Sequence, residues 1–360
     1  MSIHFHQLAV KEVKQETADC VSILFRVPEE LQETFQFTQG QSLTMRTTIN
    51  GEEVRRTYSI CSSPQDQQLR VAVKKVKGGA FSVFANEQLR AGDVLEVMPP
   101  IGRFYTTLNA GNKKHYVAFA AGSGITPLLS IIKTTLAVEP QSSFTLVYGN
   151  RNRSSIIFFE ELEGLKNKYI DRFNLLHILS REKTDSDVNF GRITSDKCTD
   201  IFSKLVDITT VDEFFICGPE EMIFTVKAFL ESQQVDEKKI HFELFTTPGQ
   251  SKKYEVRSAK FEAEGPQSNI TVRLDGRSFD FTIPLNSDTT ILDAAMQQGA
   301  DVPYACKGGV CCTCKAKLLE GEVKMDVHWG LEQEEIEQGF ILTCQAHPLT
   351  ANVAVDFDVK

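Results

Sequence analysis

Five of the nine cysteines in this 360-residue chain fall in its last 55 residues: Cys306, Cys311, Cys312, Cys314 and Cys344. Four of them follow the pattern Cys306-x4-Cys311-x2-Cys314, with Cys344 after 29 intervening residues. Thiolates at this spacing hold a [2Fe–2S] cluster, three ligands coming from one loop and the fourth from elsewhere. Gly308 and Gly309 let that loop turn tightly and aim N–H groups at sulfur, which the negative charge of a thiolate-bound cluster calls for. Structural zinc is the alternative, but it usually takes two short C-x2–4-C knuckles rather than one C-x4-C-x2-C run. Cys344-Gln345-Ala346-His347 has one half of a Rieske motif and lacks the C-x-H partner. Cys312 is out of register with the four ligands and reads as a small-residue filler.

A second set of residues suits a flavin. In Arg56-Thr57-Tyr58-Ser59 an Arg can fork onto a diphosphate, and a Tyr two residues on can stack on a flat ring. Thr57 points the other way by strand alternation, and Ser59 can donate near the reactive nitrogen. Gly78-Gly79-Ala80-Phe81-Ser82 stands before a helical stretch at 83–89, where N–H groups and the helix dipole cradle an anion. Alone, the first is an ordinary edge strand and the second a simple turn; together they offer both halves of a flavin dinucleotide.

A third set suits a nicotinamide dinucleotide. The run at 116–127 is strand, glycine-rich turn and helix start, with Gly122, Gly124, Thr126 and Pro127 at the turn and Pro127 as a first helical residue. The alternative is a tight strand–helix turn. Tyr148-Gly149-Asn150-Arg151-Asn152-Arg153-Ser154 offers two Arg and a Ser with no acid, which suits a 2′-phosphate and favours NADPH over NADH. Phe214-Phe215-Ile216-Cys217-Gly218-Pro219 puts a thiol at a strand's C-terminal edge. Cys217 there contacts a nicotinamide ring or packs on the following helix.

These residues need three frames to hold them. The first 107 residues show short alternating runs at 21–27, 42–49, 69–76 and 94–97, with Asn50-Gly51 as a hairpin cue, predicting an antiparallel sheet or barrel. From 108 to 247, strands at 116–120, 144–148, 173–179 and 213–217 alternate with helices at 127–136, 160–168 and 220–233, predicting a parallel α/β sheet. A polar linker punctuated by Pro and Gly spans 248–267. After it, strands at 270–274 and 278–283 flank a hairpin, and a helix runs over 290–298 with Asp288 or Thr289 as its cap.

The net charge of −9 is unevenly spread: residues 268–360 carry 14 acids and 7 bases, and the rest of the chain 34 and 32. That balance argues against a nucleic-acid grip, and it suggests an acidic docking face on the C-terminal domain. The stretch 116–132 is too short and too broken by Gly, Ser and Pro to span a bilayer. With no secretory segment at the N-terminus, the expected compartment is the cytoplasm, where cysteines stay reduced unless a metal holds them.

In chain order RTYS, GGAFS, AGSGITP, CGP and CKGGVCCTC with Cys344 resemble the ferredoxin–NADP⁺ reductase superfamily. More narrowly, they resemble its oxygenase reductases with a C-terminal plant-type ferredoxin domain. CKGGVCCTC-x-A-x-LLEGEV and GFILTCQAHPL are similar to the reductase subunits of phenylacetyl-CoA epoxidases. The resemblance spans essentially the whole chain. It implies an antiparallel FAD-binding β-barrel, a Rossmann-like parallel α/β nicotinamide domain and a β-grasp [2Fe–2S] domain. By the same resemblance Arg56, Thr57, Tyr58 and Ser59 hold the flavin, with Gly78, Gly79 and Ser82 at its pyrophosphate. Gly122, Gly124, Thr126, Pro127, Arg151 and Arg153 shape the nicotinamide site, with Cys217 and Gly218 beside the ring. Glu243 and Phe245, in His241-Phe242-Glu243-Leu244-Phe245, approach the flavin, and Ser59, Cys217 and Glu243 form the catalytic set. Cys306, Cys311, Cys314 and Cys344 are the cluster ligands. The implied path runs from NADPH through FAD and the cluster to an oxygenase component. Alternatives are the reductase of a steroid or aromatic-ring oxygenase, a cluster-based redox sensor, or a zinc-stapled interaction module on an inactive reductase fold.

Overall fold

The computed structural model describes residues 4–184, 186–245, 266–285 and 287–359. The described residues divide into two compact units, one within 5–54 and 58–244, the other of His4, 55–57, Phe245 and those from 266 onward.

Six antiparallel strands open the first unit: β1 (His6–Thr17), β2 (Cys20–Arg26), β3 (Ser42–Ile49), β4 (Glu52–Ser59), β5 (Leu69–Lys74) and β6 (Val94–Val97). Their order is β4-β3-β6-β1-β2-β5. A bridge between Ile60, just past β4, and Val71 of β5 closes the sheet into a barrel, which removes its free edges. Inward residues such as Leu8, Ile23, Leu43, Val71 and Val97 fill it. The hairpin expected at Asn50-Gly51 joins β3 to β4, both residues taking positive φ. β1 was not legible as a strand, because its second half, KEVKQET, exposes most of its side chains. α1 (Ala80–Glu87) starts three residues before the expected helix, with Gly79 as its N-cap.

The second sheet is parallel, with β7 (His115–Ala121), β8 (Ser143–Asn150), β9 (Phe173–Leu179), β10 (Glu213–Cys217) and β11 (Ile240–Glu243) in the order β11-β10-β7-β8-β9. The helices are α2 (Ile125–Val138), α3 (Phe159–Lys168), α4 (Ser195–Lys204) and α5 (Glu220–Ser232). Strand order reverses between β7 and β10, so a crevice opens beyond their C-terminal ends, where ligands of such sheets bind. α2 is buried almost all round, because the loop after β4 covers its outer face. Ser130 Oγ donates to Ser62 O at 2.6 Å, and the Thr134 and Ser63 hydroxyls lie 3.0 Å apart. Lys133 Nζ bridges Asp66 at 2.6 Å and Glu161 at 2.7 Å, and Glu161 also receives Arg70 at 2.7 Å. This polar seam joins the barrel to the parallel sheet.

In the second unit β12 (Gln267–Leu274), β13 (Arg277–Pro284), α6 (Ile291–Gln297), β14 (Lys315–Glu320), β15 (Val323–Met325), α7 (Gln333–Glu337), β16 (Phe340–Leu342), β17 (Ala346–Pro348) and β18 (Asn352–Asp356) follow in turn. The main sheet runs β13-β12-β18-β14-β16, and β15 pairs with β17. Only β12 and β18 in that sheet are parallel. Ile270, Val272, Ile291, Leu292, Val353 and Val355 make its core under α6. The cap of α6 is Thr290, whose hydroxyl accepts from Asp293 N at 3.1 Å, in place of Asp288 or Thr289. Most of the expected linker, 248–265, lies outside the described residues, and Gln267 already belongs to β12.

Candidate functional site

The four thiols meet as two pairs. Cys306 faces Cys311, whose sulfur accepts from Cys306 N–H at 3.5 Å, and Cys314 interacts with Cys344. Cys314 and Cys344 are buried, while Cys306 and Cys311 are partly exposed. Gly308 N–H donates to the Cys306 sulfur at 3.3 Å. The Cys306 thiol is pushed down to about 6, first by the hydrogen bond with Cys311, then, against burial, by backbone N–H groups at 308, 310 and 311. Gly309 turns the loop as expected and has a second task. Its φ is +74°, and a Cβ there would stand 2.8 Å from Val327 Cγ2, so the position admits the chain that crosses the loop. Cys312 is more than filler, because its thiol donates to Gly330 O. Two facing thiol pairs with amide N–H on sulfur fit two irons with two thiolates each.

On β4, Arg56 is exposed and its guanidinium donates to Arg55 O at 2.7 Å. Thr57 and Tyr58 are half-buried and Ser59 is buried. The Tyr58 ring leans on Phe81 of α1 at 5.4 Å, with the planes 35° apart, so an aromatic platform stands beside the start of α1. Gly78 precedes the cap there, and Ser82 Oγ accepts from Val76 N at 3.1 Å and donates to Gly79 O at 3.2 Å. The Ser82 hydroxyl therefore shapes the turn, and the first N–H groups of α1, which have no intrahelical acceptors, are the donors left for a diphosphate. This platform and donor set fit a flavin dinucleotide.

Ser59 does not point its hydroxyl proton at open space. It donates to Glu243 Oε2 at 3.1 Å, across 184 residues of sequence. Glu243 ends β11 directly opposite Cys217 in β10. Burial lifts the Glu243 carboxyl to about 7 against the hydrogen bond from Ser59. Burial, then the charge of Glu243, pushes the Cys217 thiol well up, so it stays a neutral, fully buried thiol. Phe245, two residues past Glu243, is 41% exposed.

Gly124 is where β7 and β10 come together, since a Cβ on it would stand 2.0 Å from Cys217 O and 2.7 Å from Gly218 N. The chain from β7 makes a 3-10 turn, Gly122–Gly124, before α2 begins at Ile125, so Pro127 is the third helical residue rather than the first. It is tolerated because first-turn N–H groups have no partners within the helix. Thr126 Oγ1 donates to Ser123 O at 3.0 Å, and Tyr148 OH to Gly122 O at 2.9 Å. At the end of β8 the Asn150 side-chain amide is buried with no hydrogen-bond partner, an orphaned donor of the kind a bound dinucleotide satisfies.

The segment 151–154 is not free of acids, as the local sequence suggested. Arg151 pairs with Asp19 at 3.2 Å, and Glu182 accepts from Arg153 N at 2.8 Å. The Arg153 guanidinium lies 4.6 Å above the Phe159 ring. Arg153, Ser154, Phe159 and Glu182 are among the residues lining a cavity of about 720 Å³. Lys74 also went unnoticed: its Nζ stands 3.7 Å from where a Gly122 Cβ would be. Lys74, Asp19 and Glu182 carry no local motif, and only the fold brings them to the crevice.

A flavin platform on a closed barrel, a dinucleotide crevice at a strand-order reversal and paired thiols on a β-grasp domain define a modular flavin and iron–sulfur oxidoreductase. Family models agree: an oxidoreductase FAD-binding domain matches residues 7–105, an oxidoreductase NAD-binding domain 119–228, and a 2Fe-2S iron-sulfur cluster binding domain 272–349. The chain is 48% identical to one of the subunits of 1,2-phenylacetyl-CoA epoxidase from Escherichia coli (strain K12), over 99% of this chain and 98% of that one. It is 34% identical to the ferredoxin reductase component of 3-ketosteroid-9-alpha-monooxygenase of Rhodococcus rhodochrous, over 97% and 96%. Phthalate dioxygenase reductase has the same fold, with a TM-score of 0.58 at 24% identity and 98% of each chain covered. The chain belongs to the ferredoxin–NADP⁺ reductase-like oxygenase reductases with a C-terminal [2Fe–2S] domain. Its cofactors are FAD, a [2Fe–2S] cluster and a nicotinamide dinucleotide. Among the described residues no helix is long and apolar enough to cross a membrane.

Proposed function

We propose that this chain is the reductase component of a phenylacetyl-CoA epoxidase, acting in the cytoplasm and carrying electrons from NADPH to the oxygenase subunits. The observation that carries the electron-entry site is the Ser59–Glu243 hydrogen bond at 3.1 Å, with Cys217 opposite Glu243 in register. The acceptor rests on the full-length likeness to the epoxidase relative. We assign domain limits of 1–107, 108–247 and 267–360, with a linker at 248–266.

When bound, FAD exchanges a hydride with the nicotinamide and single electrons with the cluster, whose potential is about −400 mV in plant-type centres. Tyr58 supports the flavin ring, and Arg56, Thr57 and the N-terminus of α1 at Gly78, Gly79 and Ser82 hold its remaining parts. Gly122, Gly124, Thr126, Pro127 and Gly218 shape the crevice for the nicotinamide half, with Cys217 as a neutral wall and Phe245 beside the ring system. Glu243 stores a proton behind Ser59. With the carboxylate ionised, the Ser59 hydroxyl donates inward; with it protonated, the carboxyl donates and frees the Ser59 proton to point outward. Cys306, Cys311, Cys314 and Cys344 hold the cluster.

Arg151 and Arg153 support NADPH, since cations suit a 2′-phosphate, while Asp19 and Glu182 temper the preference. Purified holoprotein mixed with the oxygenase subunits and phenylacetyl-CoA should consume NADPH in step with epoxide formation, with a higher kcat/KM for NADPH than for NADH. Absence of electron delivery to those subunits overturns the acceptor, and a preference for NADH overturns the coenzyme assignment.

A further inference from the structure

Gln345 follows Cys344 in the chain and is not itself one of the proposed cluster ligands. Its side chain is buried, and its carboxamide nitrogen meets three acceptors. These are Lys307 O at 2.9 Å, Cys344 O at 2.9 Å and the Cys344 sulfur at 3.8 Å. Two are carbonyl oxygens and the third is a sulfur that binds metal as a thiolate, so the nitrogen of the amide, and not its oxygen, must face them. With two N–H groups for three acceptors, one donor is shared. The backbone of Gln345 is fixed at both ends as well: its N–H donates to Leu342 O at 2.9 Å, and its carbonyl accepts from Asp326 N at 3.0 Å.

Through this amide, two stretches of chain 38 positions apart are joined. Lys307 has a φ of +51°, a left-handed conformation that a lysine adopts at a cost. It stands between Cys306 and Gly308, whose N–H donates to the Cys306 sulfur. Gln345 holds the carbonyl of Lys307 in that conformation, while Lys307 Nζ is held by Asp293 of α6 at 2.8 Å. The stem of Gln345 lies against the same loop, since its Cγ is 3.1 Å from where a Gly309 Cβ would be.

Reduction adds one negative charge to a cluster that its thiolates already make negative. Cys314 and Cys344 are buried, away from the water that would screen that charge. A fixed N–H dipole on the Cys344 sulfur therefore acts through a low dielectric, and hydrogen bonds to sulfur help to set the potential of such centres. We propose that Gln345 is a positioning residue for the cluster: its carboxamide ties the loop after Cys306 to the fourth ligand and, by donating to the Cys344 sulfur, raises the reduction potential. This rests on the assignment of Cys344 as a cluster ligand.

The test uses holoprotein and reads the cluster itself rather than turnover. Gln345→Met keeps the length of the stem and removes the donors. At a fixed poise its ratio of reduced to oxidised cluster should fall about tenfold, as for the loss of one hydrogen bond to a charged group; for a one-electron couple that is a potential lower by about 59 mV. In wild-type protein labelled with ¹⁵N only at glutamine side-chain amides, pulsed electron paramagnetic resonance of the reduced cluster should show a ¹⁵N coupling that Gln345→Met lacks. A side chain that only braces the loop would give neither result. A wild-type potential in Gln345→Met, or no ¹⁵N coupling in the labelled wild type, overturns the proposal. If Gln345→Met cannot hold a cluster, the labelled wild type decides. If reduced wild-type protein shows no [2Fe–2S] signal at all, the ligand assignment is wrong and the proposal falls with it.

Discussion

At neutral pH the Glu243 carboxyl is close to half protonated, because burial lifts it from 4.5 to about 7. Between those values the folded chain binds more protons there than the unfolded chain does. The contribution of Glu243 to stability is therefore fully present below about pH 4.5 and is lost as pH rises through 7. Glu243→Gln removes that loss. Its melting temperature should exceed that of wild type by roughly 2–4 °C at pH 8, with the gap closing at pH 5. The same variant should lose the part of the pH dependence of NADPH oxidation that centres near 7; an unaltered profile would separate Glu243 from proton handling. Ser59 and Cys217 were each visible as members of short motifs, whereas the Ser59–Glu243 bond was not, since it spans 184 positions and obeys no periodicity. The four cysteines proposed as cluster ligands stand out in the sequence because the chemistry assigned to them imposes the spacing on the chain itself.

Among the elements, the β7–α2 turn comes into close contact with the end of β10. Gly124→Ala must move one of them, because its Cβ would lie 2.0 Å from Cys217 O. A loss of about 1–3 kcal/mol is expected, with KM for NADPH raised at the same time; a variant with wild-type melting and KM would show that the turn gives way freely. The seam between barrel and parallel sheet makes a second case. Burial opposes charge on Lys133, yet Asp66 and Glu161 hold its pKa up. Burial likewise opposes charge on Glu161, yet Arg70 and Lys133 hold its pKa below 4.5. Lys133→Met removes the cation that Asp66 and Glu161 share and should cost about 1–3 kcal/mol at pH 7. The cost should shrink as acid protonates the carboxylates, which chemical denaturation at two pH values will measure. Element types were legible where the apolar period was strong, as in α2 and β10. α4 was missed because SDKCTDIFSK buries only Lys197, Cys198 and Ile201, and β11 because four residues carry too little pattern.

Over the whole molecule, the order of the modules sets the order of redox steps, so the two halves of the activity are separable. Cys311→Ser should lose the visible spectrum of the cluster and all reduction of protein acceptors while retaining NADPH–ferricyanide turnover. Cys312→Ser, which keeps a hydroxyl donor toward Gly330 O, should retain both. Retention of the cluster in the first variant would remove Cys311 from the ligand set. The division into three frames could be anticipated from the change of periodicity and from the acidic segment 268–360. The closure of the barrel through Ile60 and Val71 could not, since a single bridge between distant positions leaves no trace in local sequence. Residues 326–332, between β15 and α7, are tied to the cluster loop where Gly330 N–H donates to Gly309 O at 2.8 Å. Because the chain has one tryptophan, and Trp329 stands next to that tie, its emission reports on one place alone. An assembled iron–sulfur centre absorbs where tryptophan emits, so cluster insertion should dim the fluorescence and reconstitution can be followed without any label.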